Sequence, residues 1–174
     1  MMNSRNVLST VIYKNSSLKE ALKRIRTLGF ESVELLADKT HLDPSVSSID
    51  DARNIRNFSE ELGLNLFSFH APYSNVDLAN KDRLERERSL GLILKALNYC
   101  VVLNCRLLVL HLNSSQSLRE SSREEIMINS IESLKEVAST AEKYEIKVAL
   151  ETLMDHGKTG LARGFLILNM LLGR

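Results

Sequence analysis

The sequence is short of most features that mark a specialised chain. It has two prolines and seven glycines in 174 residues, which leaves little room for disorder or long linkers. It has two cysteines, too few for a disulfide scaffold. Lys and Arg number 23 against 22 Asp and Glu. A formal charge of +1 excludes an acidic or basic tail protein and argues against nucleic-acid binding by bulk positive charge. No apolar run reaches the ~18 residues that a membrane span needs. The most apolar stretch, 160–173, is interrupted by Arg163 and Asn169. The run from Val7 to Tyr13 is too short and too broken by Ser9 and Thr10 for a signal sequence. A soluble, cytoplasmic, single-domain chain spanning 1–174 is the expectation.

What is present is a repeating βα pattern. Strands are expected at 7–12, 32–36, 65–69, 107–110 and 147–150. Helices are expected at 18–28, 50–62, 82–103, 124–144 and 161–172. In the first helix Leu18, Ala21, Leu22, Ile25 and Leu28 form one stripe. In the second Ile55, Phe58 and Leu62 face inward, and in the fourth Met127, Ile131, Leu134, Ala138 and Ala141 keep register. Ser17 with Glu20 and Ser122 with Glu125 read as capping boxes. Asn80 opens the long third helix, while Gly29, Gly63 and Asn104 supply left-handed stops. Cys100 and Cys105, five apart near the end of that helix, read as two buried free thiols pointing to different faces.

Continuous apolar strands such as Leu107–Leu110 imply burial on both faces and a parallel sheet. Two architectures remain, the (β/α)8 barrel and the doubly wound open sheet. No Gly-rich phosphate loop follows the first strand, where Tyr13-Lys14-Asn15-Ser16-Ser17 stands instead. The fold class expected is therefore α/β, a partial TIM (β/α)8 barrel with about five βα units against ~250 residues for a whole barrel. Strands 1 and 5 would then leave two raw edges. A homo-oligomer or a complementing chain would cover them, and the nearly all-round apolar helix 161–172 fits such a neighbour.

Ligands bind at the C-terminal ends of the strands in either architecture. The third strand ends in His70, the fourth in His111 and the fifth in Glu151. Their spacing, 41 and 40 residues, is one βα unit each, which in a barrel sets them side by side around the mouth. Neutral imidazole and carboxylate are ligands of Zn²⁺ and, with more oxygen, of Mn²⁺ or Co²⁺. A carboxylate closing an apolar strand is expensive to bury without a cation or a hydrogen-bond partner. Glu34, inside Val33-Glu34-Leu35-Leu36, either lines the same site or bonds to a neighbouring strand. His41 and His156 fall in loops and read as solvated, with His156 near enough to Glu151 in sequence to line the mouth. Arg83, Arg86 and Arg88 alternate with Glu85 and Glu87, a self-paired face with no net phosphate field. No aromatic interleaving suggests a nucleic-acid surface.

Several segments together resemble one family. Ser68-Phe69-His70-Ala71-Pro72-Tyr73, then Val76-Asp77-Leu78-Ala79 and the Arg-containing helix around Arg86 to Leu90, resemble the loop and helix after strand 3 of the xylose isomerase-like TIM barrels. Val33-Glu34-Leu35, Val109-Leu110-His111 and Ala149-Leu150-Glu151 resemble that family's second, fourth and fifth strands. Asn104, Asn113 and Thr152 depart from the usual Gly, Pro-Gly and Asn at their places. The family holds sugar isomerases, epimerases and apurinic endonucleases.

The resemblance implies a divalent metal (Mn, Mg, Co or Zn) bound by Glu151, with His70 and His111 as ligands in the endonuclease branch. In the sugar-converting branch His70, His111 and Glu34 would contact substrate or support the site. Glu151 would be the catalytic carboxylate, moving a proton at the carbon next to a sugar or sugar phosphate carbonyl. The alternatives are a zinc-dependent apurinic endonuclease and an inactive split barrel needing a partner chain. The family's further ligands come from strands 6 to 8, so the ligand set in 1–174 is expected to be incomplete.

Overall fold

The computed structural model describes residues 6–112 and 120–151, together with the main chain of 165–168. Among the described residues six strands form one sheet in sequence order. They are β1 Val7–Ser9, β2 Ser32–Leu36, β3 Asn65–His70, β4 Leu107–Leu110, β5 Lys147–Glu151 and β6 Phe165–Leu168. The first five run parallel. Among the described residues four helices alternate with them: α1 Leu18–Thr27, α2 Ile49–Glu61, α3 Arg83–Val102 and α4 Arg123–Lys143. No helix among the described residues is long and apolar enough to cross a membrane.

The helix starts follow from local hydrogen bonding. The Ser48 hydroxyl accepts from the Asp51 N–H while the Asp51 carboxylate accepts from the Ser48 N–H, and Ser122 and Glu125 repeat the arrangement on α4. At α1 one half is present: the Ser17 hydroxyl accepts from the Glu20 N–H, and the Glu20 carboxylate is engaged by Arg24. The cap of α3 is Asp82 rather than Asn80. Asn80 acts one step back, its side-chain oxygen accepting from the Asp82 N–H at 2.9 Å. Gly29, Gly63 and Asn104 hold φ of 86°, 64° and 54° at the helix ends, as expected of left-handed stops.

Three further expectations are corrected. The first strand ends at Ser9, and Thr10–Tyr13 forms a 3₁₀ turn capped by the Ser9 hydroxyl. The turn brings the buried Thr10 hydroxyl to the Leu36 N–H at 3.0 Å, tying the ends of β1 and β2 together. The apolar stripe on α4 is buried only in part: Ala141 is buried and Leu134 packs against the core, but Met127 and Ile131 are 57% and 47% exposed, while Ser130, Ser133 and Val137 face the core. Polar docking decides this rotation. The Ser133 hydroxyl donates to the Leu78 carbonyl, and the Asn129 amide donates to the carbonyls of Ala79 and Asn80.

The third correction lies in 161–172, where Phe165–Leu168 is a strand antiparallel to β5, with Phe165 opposite Glu151. A run of Phe, Leu, Ile and Leu suits a sheet edge as well as an apolar helix. It covers the edge of β5 that the sequence pattern leaves raw.

The core lies between the sheet and the helices. Leu22, Ile25, Leu35, Phe69, Leu97, Leu108 and Leu110 are fully buried there, each contributing roughly 1.5–3 kcal/mol by leaving water. In α2, Ala52 and Ile55 are buried, while Phe58 is partly buried beneath the Lys19 and Lys23 ammonium groups. The opposite, inward face of the sheet carries the polar residues.

Candidate metal centre at the strand ends

A register shift in β3 sets the inward face. Val33 pairs with Leu66 and Glu34 with Ser68, so Phe67 is an extra residue without a partner. The bulge re-aims the rest of the strand: Ser68 lies beside Glu34, and His70 lies beside Leu36. Backbone bonds past the strand ends fix His70 on both sides. The Ala37 N–H donates to the His70 carbonyl at 2.9 Å, and the Ala71 N–H donates to the Val109 carbonyl at 2.8 Å.

His70, His111 and Glu151 converge as the unit spacing predicts. Their ligand atoms all lie within 4.8 Å of one another. His70 Nε2 is 3.2 Å from Glu151 Oε2, and His111 Nε2 is 3.6 Å from the same oxygen. The two imidazole rings are 5.2 Å apart. His70 is buried, while His111 and Glu151 are half-buried at the mouth.

The second ring nitrogens decide what the cluster can hold. His70 Nδ1 is 2.9 Å from the Ala71 carbonyl, and His111 Nδ1 is 3.0 Å from the Glu151 carbonyl. A carbonyl only accepts, so each Nδ1 carries the proton and donates. An imidazole with its one proton on Nδ1 presents the Nε2 lone pair to a carboxylate oxygen, itself an acceptor. Two lone pairs facing one carboxylate need positive charge between them. A proton is disfavoured at His111, where burial and the neighbouring His70 push the imidazole below its ordinary pKa. A cation fits. Two imidazoles and one carboxylate, each imidazole oriented by a carbonyl, match the His₂Glu donor set of open zinc sites.

Glu34 does not join them. Its carboxylate accepts from the Ser68 hydroxyl at 2.9 Å. Both residues line a cavity of about 240 Å³ with Ser9, Phe67, Val109 and Ala149. The cavity lies one layer below the cluster, since Ser68, Val109 and Ala149 each precede a cluster residue by two positions along the chain. Of the two readings of Glu34, the bond to a neighbouring strand is present, and the residue also lines a space continuous with the inward face.

Other expectations divide. His41 is not solvated at its polar atoms: both ring nitrogens are buried without a hydrogen-bond partner among the described residues, drawn in with the buried Leu42. His156 lies outside the described residues. The charged face of α3 pairs with itself as expected, Arg83 with Glu87 and Arg88 with Glu85, while Arg86 turns to the Asn80 carbonyl and to Glu132. Tyr73 ends the segment that carries the family resemblance, but no role is assigned to it there. Its ring stands edge-on to His70 and to His111, at 5.8 and 6.0 Å between centroids. Its place three residues after His70 on the loop over the mouth is the signal that marks it.

Comparison with known proteins agrees with this architecture. The chain is 24% identical over 148 residues to the uncharacterized protein MJ1311 of Methanocaldococcus jannaschii, covering 84% of this chain and 48% of that protein. A solved D-tagatose 3-epimerase-like protein superposes with a TM-score of 0.71 at 22% identity, over 83% of this chain and 51% of that one. A solved IOLI protein with a bound zinc atom superposes with a TM-score of 0.67 at 21% identity, over 84% and 51%. Such identities speak for the fold, and the chain spans about half the length of these proteins. The family model for the xylose isomerase-like TIM barrel matches residues 22–163, and the chain belongs to that family.

Proposed function

We propose that this chain carries the metal-holding part of a divalent-metal-dependent isomerase or epimerase acting on a sugar or sugar phosphate. The observation that supports it most is the pair of carbonyl-anchored imidazoles aimed at one Glu151 oxygen. His70, His111 and Glu151 would hold the ion, which when bound polarises a carbonyl oxygen as a Lewis acid.

The remaining chemistry belongs to the protein. Glu151 takes the proton from the carbon next to the sugar carbonyl, as a carboxylate placed at the mouth by β5. His70 and His111 position that carboxylate. The ring of Tyr73, edge-on to both imidazoles, walls the site on its solvent side and limits water at the reacting carbon. Glu34 and Ser68 offer hydrogen bonds to sugar hydroxyls in the layer below. The acid that returns the proton on the opposite face, and further ligands, would come from strands beyond the five parallel ones.

The test has two parts. Zinc and manganese titrated into the chelated protein should bind one site, lost in Glu151→Ala. Ketohexoses incubated in D₂O should then exchange the hydrogen next to the carbonyl with solvent, followed by proton NMR, only with metal and Glu151 present. Metal binding without exchange, in the presence of the complementing strands, would sink the sugar reading. Metal-dependent cleavage of duplex DNA at an abasic site would replace it with the endonuclease one.

A further inference from the structure

The two cysteines lie at the other end of the sheet from the metal centre, where α3 gives way to β4. The Asn104 N–H donates to the Val101 carbonyl at 3.1 Å, and the Cys105 N–H donates to the Cys100 carbonyl at 2.9 Å, with Asn104 at φ 54°. These nested bonds are a Schellman motif. Cys100 takes the third position from the helix end and Cys105 the second position beyond it, the two side chains that this motif brings into contact. The expectation that the thiols point apart is thereby corrected: Cys105 has left the helix, and the left-handed turn folds it back over Cys100. Both are free and buried, 0% and 1% exposed.

The separation suits a covalent bond. With standard backbone lengths, the 2.9 Å N–H···O contact holds the two Cα atoms within about 6.8 Å. That is inside the reach of a disulfide. The sulfurs are also unequal. Burial pushes the Cys100 thiol up, while the hydrogen bond from Cys100 holds Cys105 down, which makes Cys105 the better nucleophile and Cys100 the proton donor. The Cys105 sulfur also lies 3.2 Å from the Leu107 carbonyl oxygen, on the first residue of β4.

We propose that Cys100 and Cys105 are an oxidant-modified dithiol that closes to an intramolecular disulfide with hydrogen peroxide. The Cys105 thiolate attacks one peroxide oxygen, the O–O bond breaks, and with one proton taken up a sulfenic acid and water form. The Cys100 sulfur then attacks the Cys105 sulfur, the S–O bond breaks, and the Cys100 proton leaves with hydroxide as a second water. Two thiols are oxidised by two electrons and one peroxide is reduced. Access comes from fraying of the helix end, where Asn104 and Arg106 flank the pair and are exposed. The proposal does not depend on the metal reading.

The test is peroxide treatment of the whole chain, followed by denaturation, alkylation and intact-mass measurement. The expected product is a monomer that has lost two hydrogens, takes up no alkylating reagent and regains both thiols with dithiothreitol. Cys100→Ala should instead accumulate oxygen on Cys105, and Cys105→Ala should leave Cys100 alkylatable for longer. The wild-type measurement stands alone if either variant fails to fold. Two alkylatable thiols surviving an exposure that oxidises the unfolded chain, oxygen adducts on both sulfurs, or disulfides only between chains would each overturn the proposal.

Discussion

Glu34 and Glu151 sit on inward faces of the same sheet, one layer apart, and meet opposite surroundings. Glu34 faces a hydroxyl that donates to it. Glu151 faces two imidazoles whose protons are committed elsewhere, to carbonyls. A carboxylate with a donor is a satisfied polar group. One with only lone pairs before it has room for a cation. Two residues of the same type thus differ in what they can hold by the protonation pattern of their neighbours.

That contrast can be broken at either end. The largest effect is expected from Glu151→Ala, which should weaken zinc binding by at least about 100-fold, the upper end of what changes to supporting groups alone cause. Isothermal titration checks it, and unchanged affinity would remove Glu151 from the site. Next comes Ser68→Ala, which leaves the Glu34 carboxylate without its donor and should cost about 1–3 kcal/mol in urea unfolding, with zinc affinity unaltered. A loss of zinc affinity in that variant would merge the two layers into one site.

A smaller effect concerns pH. The His111 imidazole is held below its ordinary pKa by burial and by His70, so near pH 6.5 and below the unfolded chain binds this proton first. Stability of the metal-free protein should be whole above about pH 6.5 and fall as the pH drops from there toward the folded value. Urea midpoints in chelator measure this, and His111→Gln should flatten that part of the profile. The smallest effect belongs to Glu34→Gln. Its amide oxygen can still accept from Ser68, so stability should change by less than about 1 kcal/mol and zinc affinity not at all.

The unit spacing of His70, His111 and Glu151 was readable because parallel βα units repeat and strand ends fall together. Sequence periodicity also marked the first two helices, and start and stop residues marked the third. It misplaced part of the buried face of α4, where apolar spacing favoured Met127 and Ile131. In the fold, Ser133 and Asn129 reach the carbonyls of the 78–80 loop, and no local pattern shows that a distant loop offers acceptors. The same limit applies to 165–168, whose apolar residues satisfy a helix or a sheet edge alike until β5 supplies a partner. It applies to Tyr73 as well, which meets the two imidazoles only across the mouth.

By itself the sequence determined the alternation of strands and helices from β1 to β5, the parallel pairing of those strands and the three residues at their ends. These arise from burial patterns and local capping, which act over a few residues. Tertiary structure alone decided which nitrogen of each imidazole faces Glu151, that Ser68 answers Glu34, and that the two thiols meet. Each depends on a contact between groups set by distant backbone, whether a register shift in β3, a carbonyl at a strand end or a left-handed turn after α3.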